Sequence, residues 1–583
     1  MQSKVAASRT YAVVTAMLVL AVFGIAIWAE VASPPENAPV VTWPDYFVFL
    51  AQAICYAFLL SSLVLLATRR LIFSLVVTIT MMLDITLLSK TKYVYLQQKL
   101  LFSDFVYQLR ERAEITFFVQ NYTLLALTAL AILVCGLGLL VFTFIIDPSR
   151  VRRRYALAMV LVSIPLIELA WGEVHPVLYR GTVFAHASAS NRHLSNFTIS
   201  ARMFIDSVRE PLTLGDISAA KPEIVPALSE PALSSSTRPH IIVILHESSV
   251  DPAIYMEGEK YAVPHAFFAS GDNEVRRLIV KTYGGKTWIS EHGFVLGVDV
   301  SYFGIRKDFL AVIATGKFKD SIAHELKNNG YRTVVDYPAP TTFLYTNDFY
   351  HSLGFDVVRS DKEMNLEATF TGARPRDRAF YQFMMDDIAK QQNEKGDVGP
   401  QFYFVLTSAT HYPWNYKEFP GIRDEEYIPG NPIAEFSRRQ RIAADDLAWL
   451  KASLAERFPG QPFLIAGFGD HHPLWTHDYV HNFPSWKGRK PDPAEDMWRT
   501  YYRVDGVNFR PNYEALSREI EIGLLGESLL TAANLSLSKS YQVRRWLREQ
   551  CEGLWAHCRK EDSLLAANAL LSRGPLAIFN EEQ

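Results

Sequence analysis

Five apolar runs within the first 172 residues constrain the fold of this chain more than any other feature. The runs are Tyr11–Trp28, Phe47–Ala67, Leu71–Leu88, Leu124–Ile146 and Tyr155–Trp171. Each approaches the ~20 residues that an α-helix needs to cross a hydrocarbon layer of ~30 Å. A buried core helix could account for one such run. Five in succession predict a bundle of five transmembrane α-helices over residues 1–172.

Basic residues between the runs predict how this bundle is oriented. Arg69 and Arg70 follow the second run, and four arginines between positions 150 and 154 separate the fourth run from the fifth. Residues 30–45 contain neither lysine nor arginine. The positive-inside rule therefore places the N-terminus in the cytoplasm, and five crossings place the rest of the chain outside. We expect a multi-pass protein of the bacterial inner membrane whose part after residue 172 faces the periplasm.

The pattern changes after the last apolar run. Residues 173–238 lack strong periodicity and end in a stretch rich in proline, serine and alanine, which predicts a linker with interfacial helices. From residue 239 onward, short apolar strand-like runs alternate with helical stretches. The strand-like runs are 240–245, 277–281, 333–335, 402–406 and 463–468. The alternation predicts an α/β domain over residues 239–583, with helices on both faces of a sheet.

Titratable side chains follow three of these strands directly. Glu247 follows the first strand, His411 lies just beyond 402–406, and Asp470 and His471 follow 463–468. In open α/β sheets ligands collect at the carboxyl ends of the strands, so we expect these side chains to converge. Each of them alone would be typical of a solvated turn. Together, carboxylates and imidazoles indicate a divalent metal site.

Thr287 is the candidate nucleophile. It follows the tight-turn sequence Tyr283-Gly284-Gly285-Lys286, and a helix is expected to begin at or near it. A hydroxyl at a helix N-terminus lies in positive potential, which favours an alkoxide and attracts phosphate. A P-loop is excluded because its first glycine would fall at Val280. Two interpretations stay open, a metal-activated nucleophile and a plain helix cap.

The motifs at these positions resemble the alkaline-phosphatase/sulfatase superfamily. They are ILHESS around Glu247, GGKTWISE around Thr287 and FGDHHP around Asp470 and His471. Five spans before such a domain resemble its membrane-bound branch, which includes lipoteichoic acid synthase, periplasmic glucan phosphoglycerol transferases and phosphoethanolamine transferases. The resemblance implies one divalent metal, Mn²⁺ or Zn²⁺, with four ligands: Glu247, Thr287, Asp470 and His471. It also implies that His411, in SATHYPW, is catalytic and contacts the substrate phosphate.

The same resemblance implies a two-step transfer. Thr287 would take the phosphoglycerol head group from phosphatidylglycerol and pass it to a glycan or glycolipid acceptor. The Thr-x-x-Ser-Glu pattern that starts at Thr287 is similar to the phosphoglycerol branch. A sulfatase reaction is disfavoured because none of the four cysteines lies near Gly285. The alternatives are a phosphoethanolamine transferase using phosphatidylethanolamine to modify lipid A or a glycan, a hydrolase, and a catalytically silent lipid-binding regulator.

The residues that would bind the head group depart from the family pattern. In lipoteichoic acid synthase a tryptophan and an arginine hold the glycerol phosphate, and the similar stretch here is residues 344–348. Tyr345 can replace the aromatic surface, but Asn347 lacks the bidentate grip of arginine on phosphate. Trp414 and His477 are further candidates for substrate binding. The identity of the head group therefore stays open.

Charge and cysteine content give two further expectations. The formal net charge of −3 provides no basic surface of the kind that binds nucleic acid. Cys551 and Cys558 could form a disulfide if this part of the chain lies in an oxidising compartment.

Overall fold

The structure, a computed structural model, consists of two compact units, Met1–Glu210 and Pro211–Gln583. Each unit has its own hydrophobic core. The residues described are 2–31, 43–96, 99–107, 119, 123–178, 193–208, 212–230, 238–251, 261–366, 374–396, 399–476, 496–555, 558 and 561–580.

Five helices of the first unit are long and apolar enough to cross a membrane, which confirms the predicted bundle. Most large side chains of the fourth of these helices are exposed and apolar, as expected for a helix that faces lipid. The helices of this unit are α1 (Gln2–Val31), α2 (Trp43–Thr68), α3 (Leu71–Leu96), α4 (Phe102–Tyr107), α5 (Thr123–Ile146), α6 (Arg153–Leu178) and α7 (Leu194–Val208).

Helix α7 lies within the stretch that the sequence predicts to be a linker with interfacial helices. Ser195 donates hydrogen bonds to the Glu30 carboxylate from its backbone nitrogen, at 2.7 Å, and from its hydroxyl, at 2.6 Å. Arg202 forms an ion pair with Glu168 of α6. The Glu30 carboxylate is buried and would be costly to leave without partners, whereas that of Glu168 is half exposed. These contacts therefore satisfy two carboxylates of the bundle and hold α7 against it.

The second unit is built on an eight-stranded sheet in the order β4-β3-β5-β1-β6-β7-β2-β8. Only β7 is antiparallel to its neighbours in the described sheet, and since two reversals restore the direction, β2 and β8 run parallel to β1. Seven strands thus end at one edge. The strands are β1 (His240–His246), β2 (Arg276–Ile279), β3 (Arg332–Asp336), β4 (Val357–Arg359), β5 (Gln401–Thr407), β6 (Phe463–Gly469), β7 (Arg499–Val507) and β8 (Glu519–Glu521).

Helices cover both faces of this sheet, as the sequence predicts. Alternate residues of β1 belong to two different core clusters, Val243 and Leu245 to one and Ile242 and Ile244 to the other. A strand buried on both faces is apolar throughout, which explains the uninterrupted run of apolar residues in β1. The helices are α8 (His265–Phe268), α9 (Thr287–Leu296), α10 (Leu310–Ala314), α11 (Ile322–Asn328), α12 (Thr346–Ser352), α13 (Asp377–Lys395), α14 (Pro432–Arg457), α15 (Ile522–Ala532), α16 (Lys539–Gln550) and α17 (Glu561–Ser572).

The C-terminal helices carry the disulfide that the sequence left open. Cys551, directly after α16, is joined to Cys558. Cys55 and Cys135, in the apolar runs of the first unit, are free thiols.

Candidate active site

Two strand ends bring three potential metal ligands together. Glu247 follows β1, and Asp470 and His471 follow the neighbouring strand β6. One ligand atom from each side chain lies within 4.8 Å of the others, and all three side chains are buried. The close approach of the two strand ends requires Gly469, because a Cβ atom there would lie 1.9 Å from the Ser249 carbonyl oxygen.

The hydrogen bonds of this cluster leave two atoms facing each other without partners. Asp470 Oδ1 accepts from the backbone nitrogens of Ser248, at 2.7 Å, and His471, at 2.9 Å. His471 Nδ1 donates to the His472 carbonyl oxygen at 2.9 Å, so Nε2 is the ring nitrogen that faces the two carboxylates. Among the described residues, Asp470 Oδ2 and His471 Nε2 form no hydrogen bond.

These two atoms fit a cation. His471 Nε2 is 3.3 Å from Glu247 Oε1 and 3.2 Å from Asp470 Oδ2. A lone pair that faces two carboxylate oxygens is repelled unless a proton or a metal ion lies between them. Two carboxylates and one neutral imidazole are a donor set that suits Zn²⁺ or Mn²⁺. The three residues could therefore hold one divalent metal ion.

Charge within the cluster shifts the pKa values of its members. Burial and the Glu247 charge raise the pKa of Asp470 to about 8. Burial alone would lower the pKa of His471, but the charges of Asp470 and Glu247 raise it to about 9. Burial is likewise outweighed at Glu247, where the close imidazoles of His471 and His411 and the hydrogen bond from Thr287 hold the pKa below its ordinary value. Protons and a metal ion therefore compete for the same atoms.

Thr287 directs its hydroxyl at this cluster. It is the first residue of α9, and its Oγ1 donates a hydrogen bond to Glu247 Oε2 at 2.6 Å. The residue at the N-cap is Lys286, whose side chain makes no capping hydrogen bond. The Thr287 hydroxyl is thus engaged by a carboxylate of the cluster rather than by the backbone of the helix, which is unlike a plain cap.

An unusual turn presents Thr287. Gly284, Gly285 and Lys286 have φ values of 70°, 147° and 65°, a region that is costly for residues with a side chain. A Cβ atom on Gly284 would lie 2.8 Å from the Leu474 side chain. Lys286 is held in this conformation by an ion pair of 2.6 Å between its Nζ and Asp308 Oδ2. The glycines therefore allow the tight turn before the candidate nucleophile.

Ser290 joins α9 to the metal-binding loop. Its hydroxyl donates to the backbone carbonyl of Asp470 at 2.6 Å, and the residue is buried. Ser290 is three positions after Thr287, so both lie on one face of the helix. The Thr-x-x-Ser spacing is the sequence signal for this contact, although we assigned Ser290 no role from the sequence.

His411 lies in a loop held by two buried arginines that sequence reasoning missed. Arg374 donates to the carbonyls of His411, at 3.1 Å, and Tyr412, at 2.6 Å. Arg439 donates to the carbonyls of His411 and Pro413, both at 2.9 Å. Burial and the Arg374 charge lower the pKa of His411 to about 4, so the ring is neutral at pH 7. Its Nδ1 faces the Tyr412 carbonyl, which leaves Nε2 as an acceptor.

Three of the four remaining candidates for substrate binding lie in the described part of the chain. Trp414 is buried, donates to the Thr410 carbonyl at 2.9 Å, and packs edge-on against Phe436. It therefore supports the loop of His411. Tyr345 and Asn347 lie at the start of α12, where their neighbours face an adjoining pocket. His477 lies outside the described residues.

Comparison with known proteins identifies the second unit. Residues 239–502 match the family described as Sulfatase. A putative cyclic β-1,2-glucan modification protein of Rhizobium meliloti is 23% identical over 419 residues, which are 66% of this chain and 61% of that protein. The chain spans about three fifths of the length of the curated relatives that it matches.

Solved structures are similar at lower identity. The phosphoglycerol transferase GacH of Streptococcus pyogenes has a TM-score of 0.44 and 16% identity, covering 58% of this chain and 87% of that chain. The lipooligosaccharide phosphoethanolamine transferase EptA of Neisseria meningitidis has a TM-score of 0.46 and 11% identity, covering 89% and 97%. The family match alone confirms the predicted resemblance, for residues 239–502, which follow five helices that are long and apolar enough to cross a membrane.

Proposed function

We propose that this protein transfers a phospholipid head group, through a covalent intermediate on Thr287, to an acceptor outside the cytoplasm. One observation carries the proposal: the Thr287 hydroxyl lies 2.6 Å from Glu247 in a buried cluster that fits a divalent metal. A hydroxyl is a weak nucleophile unless a neighbouring base or cation favours its alkoxide, and this site offers both. All of the cluster residues are present, which argues against a catalytically silent regulator.

Residues of this chain can hold the metal and move the proton in the first step. A divalent metal held by Glu247, Asp470, His471 and Thr287 would supply positive charge opposite the transferring phosphoryl group. Thr287 Oγ1 bonds to phosphorus, its proton leaves towards Glu247, and the bond to the diacylglycerol oxygen breaks. That oxygen takes up the proton that Glu247 received, and diacylglycerol departs.

In the second step an acceptor hydroxyl bonds to phosphorus and the bond to Thr287 breaks. Neutral His411 is suited to accept the proton of the acceptor through Nε2. His411 passes this proton to the departing Thr287 oxygen, so the enzyme returns to its initial state. The arginines Arg374 and Arg439 keep the backbone of His411 in place during both steps.

Phosphoglycerol from phosphatidylglycerol is the first choice of head group, and phosphoethanolamine is the alternative. The similarity to a putative glucan modification protein supports a glycan or glycolipid as acceptor. Both the donor and the diacylglycerol product are lipids, which suits a membrane-anchored enzyme. The Cys551–Cys558 disulfide and the distribution of arginines support a periplasmic domain on a bacterial inner-membrane protein.

Intact-mass analysis tests the proposal directly. The full-length protein in detergent is incubated with Mn²⁺ or Zn²⁺ and one lipid, without an acceptor, so that the intermediate accumulates. Phosphatidylglycerol is expected to add about 154 Da and phosphatidylethanolamine about 123 Da, from the head-group formulas, on a peptide that contains Thr287. If neither lipid leaves an adduct and Thr287→Ala supports growth like wild type, the transferase proposal fails.

Metal affinity should depend strongly on pH. Asp470 and His471 hold their protons up to about pH 8 and 9, and a bound metal must displace them. The affinity should therefore fall as the pH falls from about 9 to 6, by up to about tenfold per pH unit for each proton displaced. Competition against a chelator of known affinity measures this slope. An affinity that does not change over this range would contradict the assignment of these two residues as ligands.

A further inference from the structure

The antiparallel strand β7 separates two parts of the candidate site. In the sheet, β7 lies between β6, which leads to Asp470 and His471, and β2, which precedes the turn of residues 283–287. Because β7 runs against both neighbours, its first residues lie at the edge where β6 and β2 end. Contacts across the start of β7 are therefore needed to fix the position of Thr287 relative to His471.

His472 supplies such a contact through its backbone carbonyl. The carbonyl oxygen accepts a hydrogen bond of 2.9 Å from His471 Nδ1 and another of 2.9 Å from the backbone nitrogen of Gly284. A carbonyl oxygen has two lone pairs, so both bonds can form at once. The first bond orients the ring of a potential metal ligand, and the second holds the turn that presents Thr287. One atom thus joins the metal cluster to the candidate nucleophile.

The ring of His472 holds this carbonyl in place. Its Nε2 donates at 2.7 Å to the carbonyl of Arg499, the first residue of β7, and its Nδ1 lies 3.2 Å from Thr476 Oγ1. The side chain is completely buried. Both ring nitrogens take part in these contacts, so the ring serves as a bridge between β7 and Thr476 rather than as a metal ligand.

Tyr283 adds a second connection between the turn and the loop of residues 470–476. Its hydroxyl donates to the carbonyl of Leu474 at 2.9 Å and lies 3.1 Å from Thr476 Oγ1. Its ring is nearly parallel to that of His472, with the two centroids 6.2 Å apart. The ring of His472 therefore contacts the turn, the loop and β7 together.

We propose that His472 is a positioning residue that keeps the ring of His471 in register with Thr287. Its ring fixes the backbone carbonyl that the metal cluster and the turn before Thr287 share. The inference rests on the proposed function, because the two parts that it joins are the metal cluster and the nucleophile of that function. It assigns a role to the second histidine of the motif FGDHHP.

Hydrogen exchange in the metal-free protein tests the shared carbonyl without a catalytic step. His472→Phe keeps an aromatic ring of similar size and loses both ring hydrogen bonds. In the full-length protein in detergent, the Gly284 amide should then exchange at least about tenfold faster than in wild type, because its acceptor is no longer held. Exchange is measured by mass spectrometry on overlapping peptides that isolate Gly284.

Mn²⁺ binding and adduct formation should change together with the exchange rate. His472→Phe should bind Mn²⁺ about tenfold more weakly, because the partner that orients the ring of His471 is loosened. The EPR spectrum of the bound Mn²⁺ should differ from that of wild type. With phosphatidylglycerol and saturating Mn²⁺, the adduct on Thr287 should form at least about tenfold more slowly, because a displaced nucleophile reacts slowly.

His472→Gln tests whether the hydrogen bond of the ring is responsible. The glutamine side chain can place its amide nitrogen near the position of Nε2, where it can donate to the Arg499 carbonyl. Only the contact with Thr476 is then lost. The affinity for Mn²⁺ should therefore return to within about threefold of wild type.

His240→Phe is the matched control for loss of stability. His240 is buried, accepts a hydrogen bond of 3.1 Å from the Gln401 backbone nitrogen, and stacks on Phe463. It is the first residue of β1 and lies at the opposite edge of the sheet. This variant should lower the melting temperature and leave the exchange of Gly284 and the affinity for Mn²⁺ as in wild type.

Three results would overturn this role of His472. One is wild-type exchange at Gly284 together with wild-type Mn²⁺ affinity in His472→Phe. Another is an equal defect in His472→Phe and His472→Gln, and the third is an equal rise in Gly284 exchange in His240→Phe. All three leave the proposed function intact if wild type forms an adduct on Thr287. The absence of that adduct would defeat the proposed function and leave the exchange result standing.

Discussion

The Thr287→Ala protein is expected to lose head-group transfer by at least about a thousandfold and to form no lipid-derived adduct. We expect Thr287 Oγ1 to form the covalent bond. Among the described residues, it is the one hydroxyl at a helix N-terminus that donates to a carboxylate of the cluster of Glu247, Asp470 and His471. Alanine retains the helical conformation, so the turn and α9 should persist. Transfer is measured as diacylglycerol released from radiolabelled phosphatidylglycerol.

Thr287→Ser is the matched control for this experiment. Serine keeps a hydroxyl at the same position and should retain both an adduct and part of the rate. Its smaller side chain has more rotational freedom, so the rate should fall below that of wild type. Equal activity of the alanine and wild-type proteins would exclude Thr287 as the nucleophile. Loss of activity in alanine with persistence of the adduct would assign the covalent bond to another residue.

The second large effect is expected at Asp470. Asp470→Asn should weaken metal binding more than about a hundredfold, because it removes a proposed ligand. Loss of a residue that only hydrogen-bonds to a ligand already lowers metal affinity by about 10- to 100-fold. The fold should survive, since an asparagine oxygen can still accept from the backbone nitrogens of Ser248 and His471. Transfer should fall with the occupancy of the site. Metal affinity is measured by competition with a chelator and transfer by diacylglycerol release.

Thermal unfolding distinguishes loss of the metal from loss of the fold. Without metal, Asp470→Asn should be at least as stable as wild type, because it removes the repulsion between Asp470 and Glu247. Saturating Mn²⁺ or Zn²⁺ should raise the melting temperature of wild type and leave that of the variant unchanged. The melting temperature of Asp299→Asn, an equivalent change outside the cluster, should rise with metal as that of wild type does. A full rise in the Asp470→Asn protein would show that Asp470 is not a ligand.

Several features of this protein follow from the sequence because they depend on local composition. Five runs of sufficient length and apolarity predict five membrane-crossing helices wherever the loops between them lie. The continuous apolar run of β1 predicts a strand buried on both faces, and Glu247 directly after it predicts a side chain at the edge of the sheet. The same reasoning applies to Asp470 and His471 after β6.

Other features are fixed only by contacts between distant parts of the chain. Strand β7 reverses direction between two parallel strands, and nothing local in its sequence indicates this. Arg374 and Arg439 reach the His411 loop from 37 and 28 residues away. Charged residues far from a motif are ordinarily read as solvated. The sequence therefore gave no reason to select these two.

For Thr287, the local sequence predicts the position of the hydroxyl, and only the tertiary structure determines what it contacts. Its local sequence, two glycines and a lysine before a helix, determined that a hydroxyl would stand at a helix start, and it was equally compatible with a cap and a nucleophile. The tertiary structure brings Glu247, 40 residues away, within 2.6 Å of Thr287 Oγ1, so the hydroxyl contacts a carboxylate and not the backbone of the helix. Hydrogen bonds depend on position to within tenths of an ångström, and only the packed sheet and helices fix positions that closely.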